Sequence, residues 1–199
     1  MATALKSLEE TRQRIIDAAA ERFSRFGYGK TNVAEIARDC RMSPGNLYRY
    51  FRNKAEIAES IMREGLEDVL GELRAVLGSR KMAASEQLRS FLMRELHHTY
   101  RQLETFPTLL EQVRDPEAHG PLLAEEYLNR SRKLMSEILA SGASTGEFNI
   151  DDADATARYI QAATLKFRYP QMHTDIPLNE LEQTAKGVID LLLKGLRAS

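Results

Sequence analysis

Apolar residues recur at spacings of three and four along almost the whole chain, with no sustained alternation of the kind a half-buried strand requires. The pattern predicts a first helix over Ser7–Phe26, with Leu8, Ile15, Ile16, Ala19, Ala20, Phe23 and Phe26 on or near one face and Arg12, Arg14, Arg22 and Arg25 outside it. Gly27 ends this helix. Asn32 with Glu35 three residues on reads as a capping box opening a short helix marked by Val33, Ile36, Ala37 and Cys40. Ser43 followed by Pro44 reads as an N-cap with proline at the first helical position, so a second short helix begins directly after the first. Asn53 with Glu56 repeats the capping box and opens a third. Two short, separately capped and sharply joined helices form a helix-turn-helix, and the expected core of the unit is Ile15, Ala19, Phe23, Ile36, Ala37, Met42, Leu47 and Phe51.

The helix opened at Asn53 is expected to reach about Gly78, with Ile57, Ile61, Gly65, Leu66, Val69, Leu73, Val76 and Leu77 as its buried stripe. Downstream, proline and glycine breaks delimit helices near residues 84–105, 107–114, 121–141, 151–168 and 179–197, with a break at Gly142 to Gly146. The fold class is therefore all-α. Residues 1–53 form a helix-turn-helix domain and residues 54–199 a second helical domain that includes the connecting helix 54–78.

A wheel of 100° per residue from Pro44 puts Leu47 and Phe51 together toward the core and Gly45, Asn46 and Arg49 away from it, with Tyr48 and Tyr50 on the flanks. In a major groove, Asn46 and Arg49 would face base edges, Gly45 would allow close approach, and the tyrosine hydroxyls would reach phosphates, with Arg52 and Lys54 adding backbone contacts. Charge changes the picture in the same direction. The net charge of −1 conceals a segment through Lys54 with eleven basic and six acidic residues, +5, and a remainder of −6. Helix packing for the tyrosines and a solvated face for the charges are the plainer alternatives.

The long first helix, the Phe26-Gly27 break, T-N-V-A-E-I-A from Thr31 and S-P-G-N-L-Y-R-Y-F-R-N-K from Ser43 to Lys54 resemble the tetracycline-repressor (TetR) family over about residues 10–62. The resemblance implies DNA contact by Pro44, Gly45, Asn46, Tyr48, Tyr50 and Lys54, and a phosphate at the helix end carrying Thr31 and Asn32. Together with Ser43 and Arg49 these are the candidate DNA-binding residues. Arg41 departs from the glycine usual in the turn, and a left-handed backbone there would cost about 1 kcal/mol. Downstream, the resemblance is architectural and implies an effector-binding and dimerisation domain, with ligand changing the tilt of the connecting helix.

His97, Tyr100, Phe106, Tyr127 and Phe167 are candidates to line an apolar pocket for an unidentified small-molecule effector. Adjacent His97 and His98 point about 100° apart on a helix and do not make a metal site, so no metal and no cofactor are expected. Cys40, on an inner face, reads as a small buried hydrophobe rather than a redox sensor. Ala153, Ala157, Ile160, Thr164 and Phe167 form one stripe, and Leu181, Ala185, Val188, Ile189, Leu192 and Leu196 a broader one. From these, Ile160, Thr164, Val188, Ile189, Leu192 and Leu196 are expected to pair with a second copy, burial within the monomer being the alternative. No catalytic constellation, membrane-spanning run or signal-peptide core stands out, and one cysteine fits a cytoplasmic protein. The reading is a homodimeric, ligand-responsive regulator on a pseudo-palindromic double-stranded DNA operator, a repressor by family habit. Its rival is a helical interaction module that keeps the helix-turn-helix as scaffold.

Overall fold

The computed structural model describes residues 2–79, 82–105, 120–168 and 176–197. Among them the helices are α1 (Ala2–Phe26), α2 (Val33–Asp39), α3 (Pro44–Leu47), α4 (Lys54–Leu77), α5 (Ala84–Thr105), α6 (Gly120–Ser144), α7 (Ala153–Ala163), α8 (Leu165–Arg168) and α9 (Leu178–Leu196). The only β pairing among the described residues is an isolated bridge between Phe148 and Arg197. The expected helix at 107–114 lies outside the described residues. The chain separates into two compact units, residues 1–66 with 104–124 and residues 67–103 with 125–199.

In the first unit, α1 buries Ile15, Ile16, Ala19 and Phe23. It ends where Gly27, at φ 86°, donates its N–H to the Phe23 carbonyl at 3.0 Å, a left-handed residue closing a helix. These side chains meet Ile36, Ala37, Cys40, Leu47, Phe51, Ile57, Ala58 and Ile61 in one cluster, with Tyr28 edge-on to Phe23 at 5.2 Å. Met42, expected in this core, packs against it only half-buried. Leu8 and Phe26, expected on the apolar face, are exposed, and Phe26 instead lies beneath the Arg22 and Arg25 guanidinium groups at 5.5 and 5.1 Å. Between α2 and α3, Arg41 takes φ 55°, so the turn is left-handed although no glycine occupies it. The Met42 N–H reaches the Ala37 carbonyl at 2.9 Å and fixes the turn.

The main core of the second unit joins Leu73 and Val76 of α4, Leu88 and Phe91 of α5, Met135, Ile138 and Leu139 of α6, Ile160 of α7, and Ile189, Leu193 and Leu196 of α9. The break expected over Gly142 to Gly146 forms, three residues past the expected helix end at 141. Helix α6 continues to Ser144 because Gly142 leaves room for the Phe148 ring, which a Cβ would strike. Gly146, at φ 75°, makes the actual exit. Glu147 then caps α5, accepting the N–H groups of Ala84 at 2.7 Å and Ser85 at 3.0 Å. The single helix expected over 151–168 is divided at Thr164, whose hydroxyl donates to the Ile160 carbonyl at 2.7 Å. The stripe on α7 and α9 turns inward: Ile160, Thr164, Ile189 and Leu196 are buried in their own chain, while Val188 and Leu192 pack half-buried against it. These six are therefore mostly core.

A polar layer crosses this unit between the main core and a smaller cluster of Leu96, Phe167, Leu181 and Ala185. Glu95 and Arg168, each 2% exposed at the side chain, pair at 3.5 Å. Tyr127 donates its hydroxyl proton to Glu95 at 2.7 Å, and Arg168 also donates to the Gln161 carbonyl. Gln161 in turn donates to the Leu128 carbonyl at 3.0 Å and to Ser131 at 3.1 Å. Burial pushes the Glu95 carboxyl above the usual carboxylate range, against the opposing pull of Arg168, Tyr127 and Ser131. Breaking such a pair from one side leaves a charge without its partner. Arg168→Met is expected to destabilise the protein by about 3 kcal/mol at neutral pH in urea unfolding. Glu95 would then hold a proton in the folded state more tightly than in the unfolded chain, so stability falls as pH rises through that window. The deficit against wild type should accordingly shrink toward the ordinary carboxylate range, and an equal deficit at pH 7 and pH 5 would contradict it.

Candidate nucleic-acid interface

The two short helices owe their starts to local hydrogen bonds. Asn32 accepts the Glu35 N–H at 3.0 Å while Glu35 accepts the Asn32 N–H at 2.9 Å, completing the expected capping box. Ser43 accepts the Asn46 N–H at 3.2 Å with Pro44 at the first helical position. The third box is only half formed. Glu56 donates its N–H to Asn53 at 2.8 Å, but its carboxylate takes the Arg52 N–H at 2.7 Å rather than that of Asn53. That Arg52 N–H, followed by the Arg52 side chain and the Arg12 charge, draws the Glu56 carboxyl below its ordinary range, although burial opposes it.

Helix α3 is a single turn that tightens as it ends, with the Tyr50 N–H on the Leu47 carbonyl at 2.9 Å and the Phe51 N–H on the same oxygen at 3.2 Å. Leu47 and Phe51 are buried as the wheel requires. Ser43, Pro44, Gly45, Tyr48 and Arg49 are exposed on the other side, and Asn46 and Tyr50 are half-buried. A Cβ at Gly45 would meet nothing of this chain, so the fold itself does not need glycine there. Asn32 is exposed, but Thr31 is 2% exposed and its hydroxyl donates to the Gly27 carbonyl at 2.9 Å. Thr31 thus holds its own loop, not an outer surface.

The basic residues divide into two sets, and sequence reasoning saw only one. Lys54 is half-buried: its ammonium donates to the carbonyls of Tyr28 and Thr31, both at 2.8 Å, and lies 4.1 Å from the Tyr28 ring centroid. Burial lowers the pKa of this amine. Arg12 donates to the Tyr50 carbonyl at 2.7 Å and to Ser60 at 3.3 Å, with its guanidinium 4.1 Å over the Phe51 ring. Arg14 donates to the Cys40 carbonyl at 2.9 Å, and Arg22 grips Asp39 and Glu35. These cations serve carbonyls and carboxylates at the joints of the motif. Lys6, Arg25, Lys30, Arg38, Arg41, Arg49 and Arg52 are exposed and make up the outward set, with Arg25 also over the Phe26 ring and Arg52 also paired with Glu56. Cys40, buried, donates its thiol to the Arg14 carbonyl at 3.6 Å, and burial pushes its pKa up, which fits the structural reading of this residue.

The pocket candidates scatter. His97 turns to the surface and pairs with Glu182 at 2.7 Å, so it is not an interior group. Phe167 belongs to the smaller apolar cluster, Tyr100 packs against that cluster, and Tyr127 belongs to the polar layer. Phe106 lies outside the described residues. The buried imidazole is that of His98, kept below its usual pKa by burial despite Glu72 at 3.9 Å. None of the helices among the described residues is long and apolar enough to cross a membrane.

Residues 15–61 match the model of the bacterial regulatory proteins of the tetR family, and residues 84–189 that of the tetracyclin repressor-like C-terminal domain. The chain is 25% identical over 157 residues to the HTH-type transcriptional repressor KstR2 of Mycolicibacterium smegmatis, covering 77% of this chain and 75% of that one. A transcriptional regulator from Cytophaga hutchinsonii superposes with a TM-score of 0.78 at 22% identity over 92% of this chain and 97% of its own. FadR of Bacillus subtilis, solved in complex with stearoyl-CoA, superposes with a TM-score of 0.65 at 22% identity over 93% and 99%. With both halves matched, and with a capped two-helix motif holding its core side inward, the chain belongs to the TetR family and is a DNA-binding transcriptional regulator, not an enzyme.

Proposed function

We propose that this regulator is a homodimeric repressor whose residues 1–53 read a pseudo-palindromic operator and whose residues 54–199 take a small-molecule ligand and hold the dimer. The observation that carries the DNA reading is the exposed side of α3, where Pro44, Gly45, Tyr48 and Arg49, with half-buried Asn46, stand opposite Leu47 and Phe51. A side-chain amide and a guanidinium are the groups that make paired hydrogen bonds to adenine and guanine edges in the major groove. Gly45, where a Cβ would meet nothing of its own chain, leaves the backbone open to a close neighbour. Tyr48, Tyr50, Asn32 and Ser43 would serve phosphates around them.

Dimerisation is supported by what α7, α8 and α9 leave exposed. Tyr159 is 71% exposed, Leu165 49% and Leu191 69%. Leu191 shares a face with Gly187 and Gly195, four residues to either side, and a Cβ at either glycine would meet nothing. This outward stripe, not the inward-facing Ile160 and Ile189, is the surface offered to a second copy. A single α3 makes few base contacts, and two related by a two-fold axis would meet both halves of a palindrome.

The ligand reading draws on relatives of known effector chemistry, among them the FadR solved with stearoyl-CoA. In this chain the smaller cluster around Phe167 and Leu181, bordered by the Glu95 and Arg168 layer, offers an apolar wall beside polar anchors. A coupling of about 1–3 kcal/mol between ligand and DNA would be enough to release an operator.

Two measurements check this reading. Wild-type protein should select a palindromic duplex from a randomised pool at moderate salt, and Asn46→Ala should lose about 1–3 kcal/mol on that duplex while binding scrambled DNA as before. Equal loss on all sequences would remove Asn46 from base reading. Leu191→Asp should sediment as a monomer at micromolar concentration where wild type is a dimer, with unchanged helicity. A variant that remains dimeric would move the interface elsewhere.

A further inference from the structure

Lys54 ends the most specific sequence motif of the chain, and its position beside the reading helix suggests a phosphate contact. Its surroundings say otherwise. An ammonium has three protons, and two are already spent at 2.8 Å on the carbonyls of Tyr28 and Thr31. Both carbonyls belong to the tight loop between α1 and α2, where the Thr31 N–H closes on Tyr28 at 3.3 Å and the Thr31 hydroxyl closes on Gly27 at 2.9 Å. The face of the Tyr28 ring, 4.1 Å from the nitrogen, takes up more of the charge. Swinging the ammonium to a phosphate would leave the Thr31 carbonyl without this donor and expose the ring.

We propose that Lys54 is a positioning residue: from the first turn of α4 it holds the Tyr28–Thr31 loop, and through it Asn32 and the start of α2, in the setting from which DNA is met, without itself touching phosphate. The proposal rests on the reading that this unit binds DNA. The ammonium is well suited to the task because one group donates to two carbonyls three residues apart and its charge strengthens both bonds. The consequence is that affinity and ionic-strength dependence separate. A phosphate contact contributes released counterions, whereas a positioning contact contributes none.

The test uses the full chain and a duplex selected by the wild-type protein from a randomised pool. Lys54→Met keeps most of the side-chain volume and removes the charge. At a temperature where circular dichroism shows it fully folded, it should bind that duplex at least about tenfold more weakly, with the same slope of log affinity against log salt as wild type. A fall in slope of about 0.9 per protomer would overturn the proposal in favour of a phosphate contact. Unchanged affinity of the folded variant would overturn it as well, since a residue serving stability alone leaves binding by folded molecules intact. Should Lys54→Met not fold, nitrogen-15 spectra of the wild-type lysine ammonium groups decide. The Lys54 resonance should be protected in the free protein and keep its position when duplex is added, and a large shift or a coupling to phosphorus would overturn the proposal. Wild-type protein that selects no duplex would instead defeat the DNA reading, while the free-protein spectrum would still show whether the ammonium is held.

Discussion

The helix-turn-helix of this protein depends on main-chain carbonyls at its joints being met by cations from distant parts of the chain. A motif made of one seven-residue and one four-residue helix is mostly helix ends, and the carbonyls at those ends lack intrahelical donors. Arg12 meets the carbonyl of Tyr50 just after α3, Arg14 that of Cys40 just after α2, and Lys54 those of Tyr28 and Thr31 just before α2. Each contact fixes one end of a short helix against a long one. The apolar cluster below supplies the attraction, but it is non-directional, and the charge-assisted hydrogen bonds set the angle at which α2 and α3 leave it.

Charge in this unit consequently has two meanings. The +5 of the first segment counts every basic residue alike, yet Arg12, Arg14, Arg22 and Lys54 are engaged at the joints of the unit, while Lys6, Arg25, Lys30, Arg38, Arg41, Arg49 and Arg52 are exposed. A surface built from the second set has fewer cations than the sequence total suggests. The second unit handles charge differently: Glu95 and Arg168 are removed from water altogether and separate two apolar clusters. Burying them costs stability relative to an apolar layer, and their gain is a fixed arrangement of α5, α6 and α8 around the smaller cluster.

What could be read in the sequence follows the range of the interaction. Asn32 with Glu35 and Ser43 with Asn46 lie three residues apart, and both caps form as expected. The inward sides of α1 and α3 follow from periodicity, and the left-handed turn at Arg41 follows from the motif. Beyond about four residues the reading weakens. Arg12 is 38 residues from Tyr50, and Lys54 is 26 from Tyr28, so nothing local distinguishes a carbonyl clamp from a phosphate clamp. The same limit explains α7 and α9, which are apolar on more than one side. Periodicity marked Ile160 and Ile189 but could not say that the chain covers them itself and leaves Tyr159 and Leu191 outside. The helix end over Gly142 to Gly146 follows from its glycines, but the Phe148 ring folding back on Gly142 does not.

The account stands on the inward role of the cations at the joints of the motif, and a crystal structure of the full chain bound to its selected duplex tests it most directly. It should show the Lys54 ammonium still on the Tyr28 and Thr31 carbonyls and Arg12 still on Tyr50, with Asn46 and Arg49 at base edges. A Lys54 swung onto a phosphate, with the Tyr28–Thr31 loop unchanged in its absence, would contradict the account.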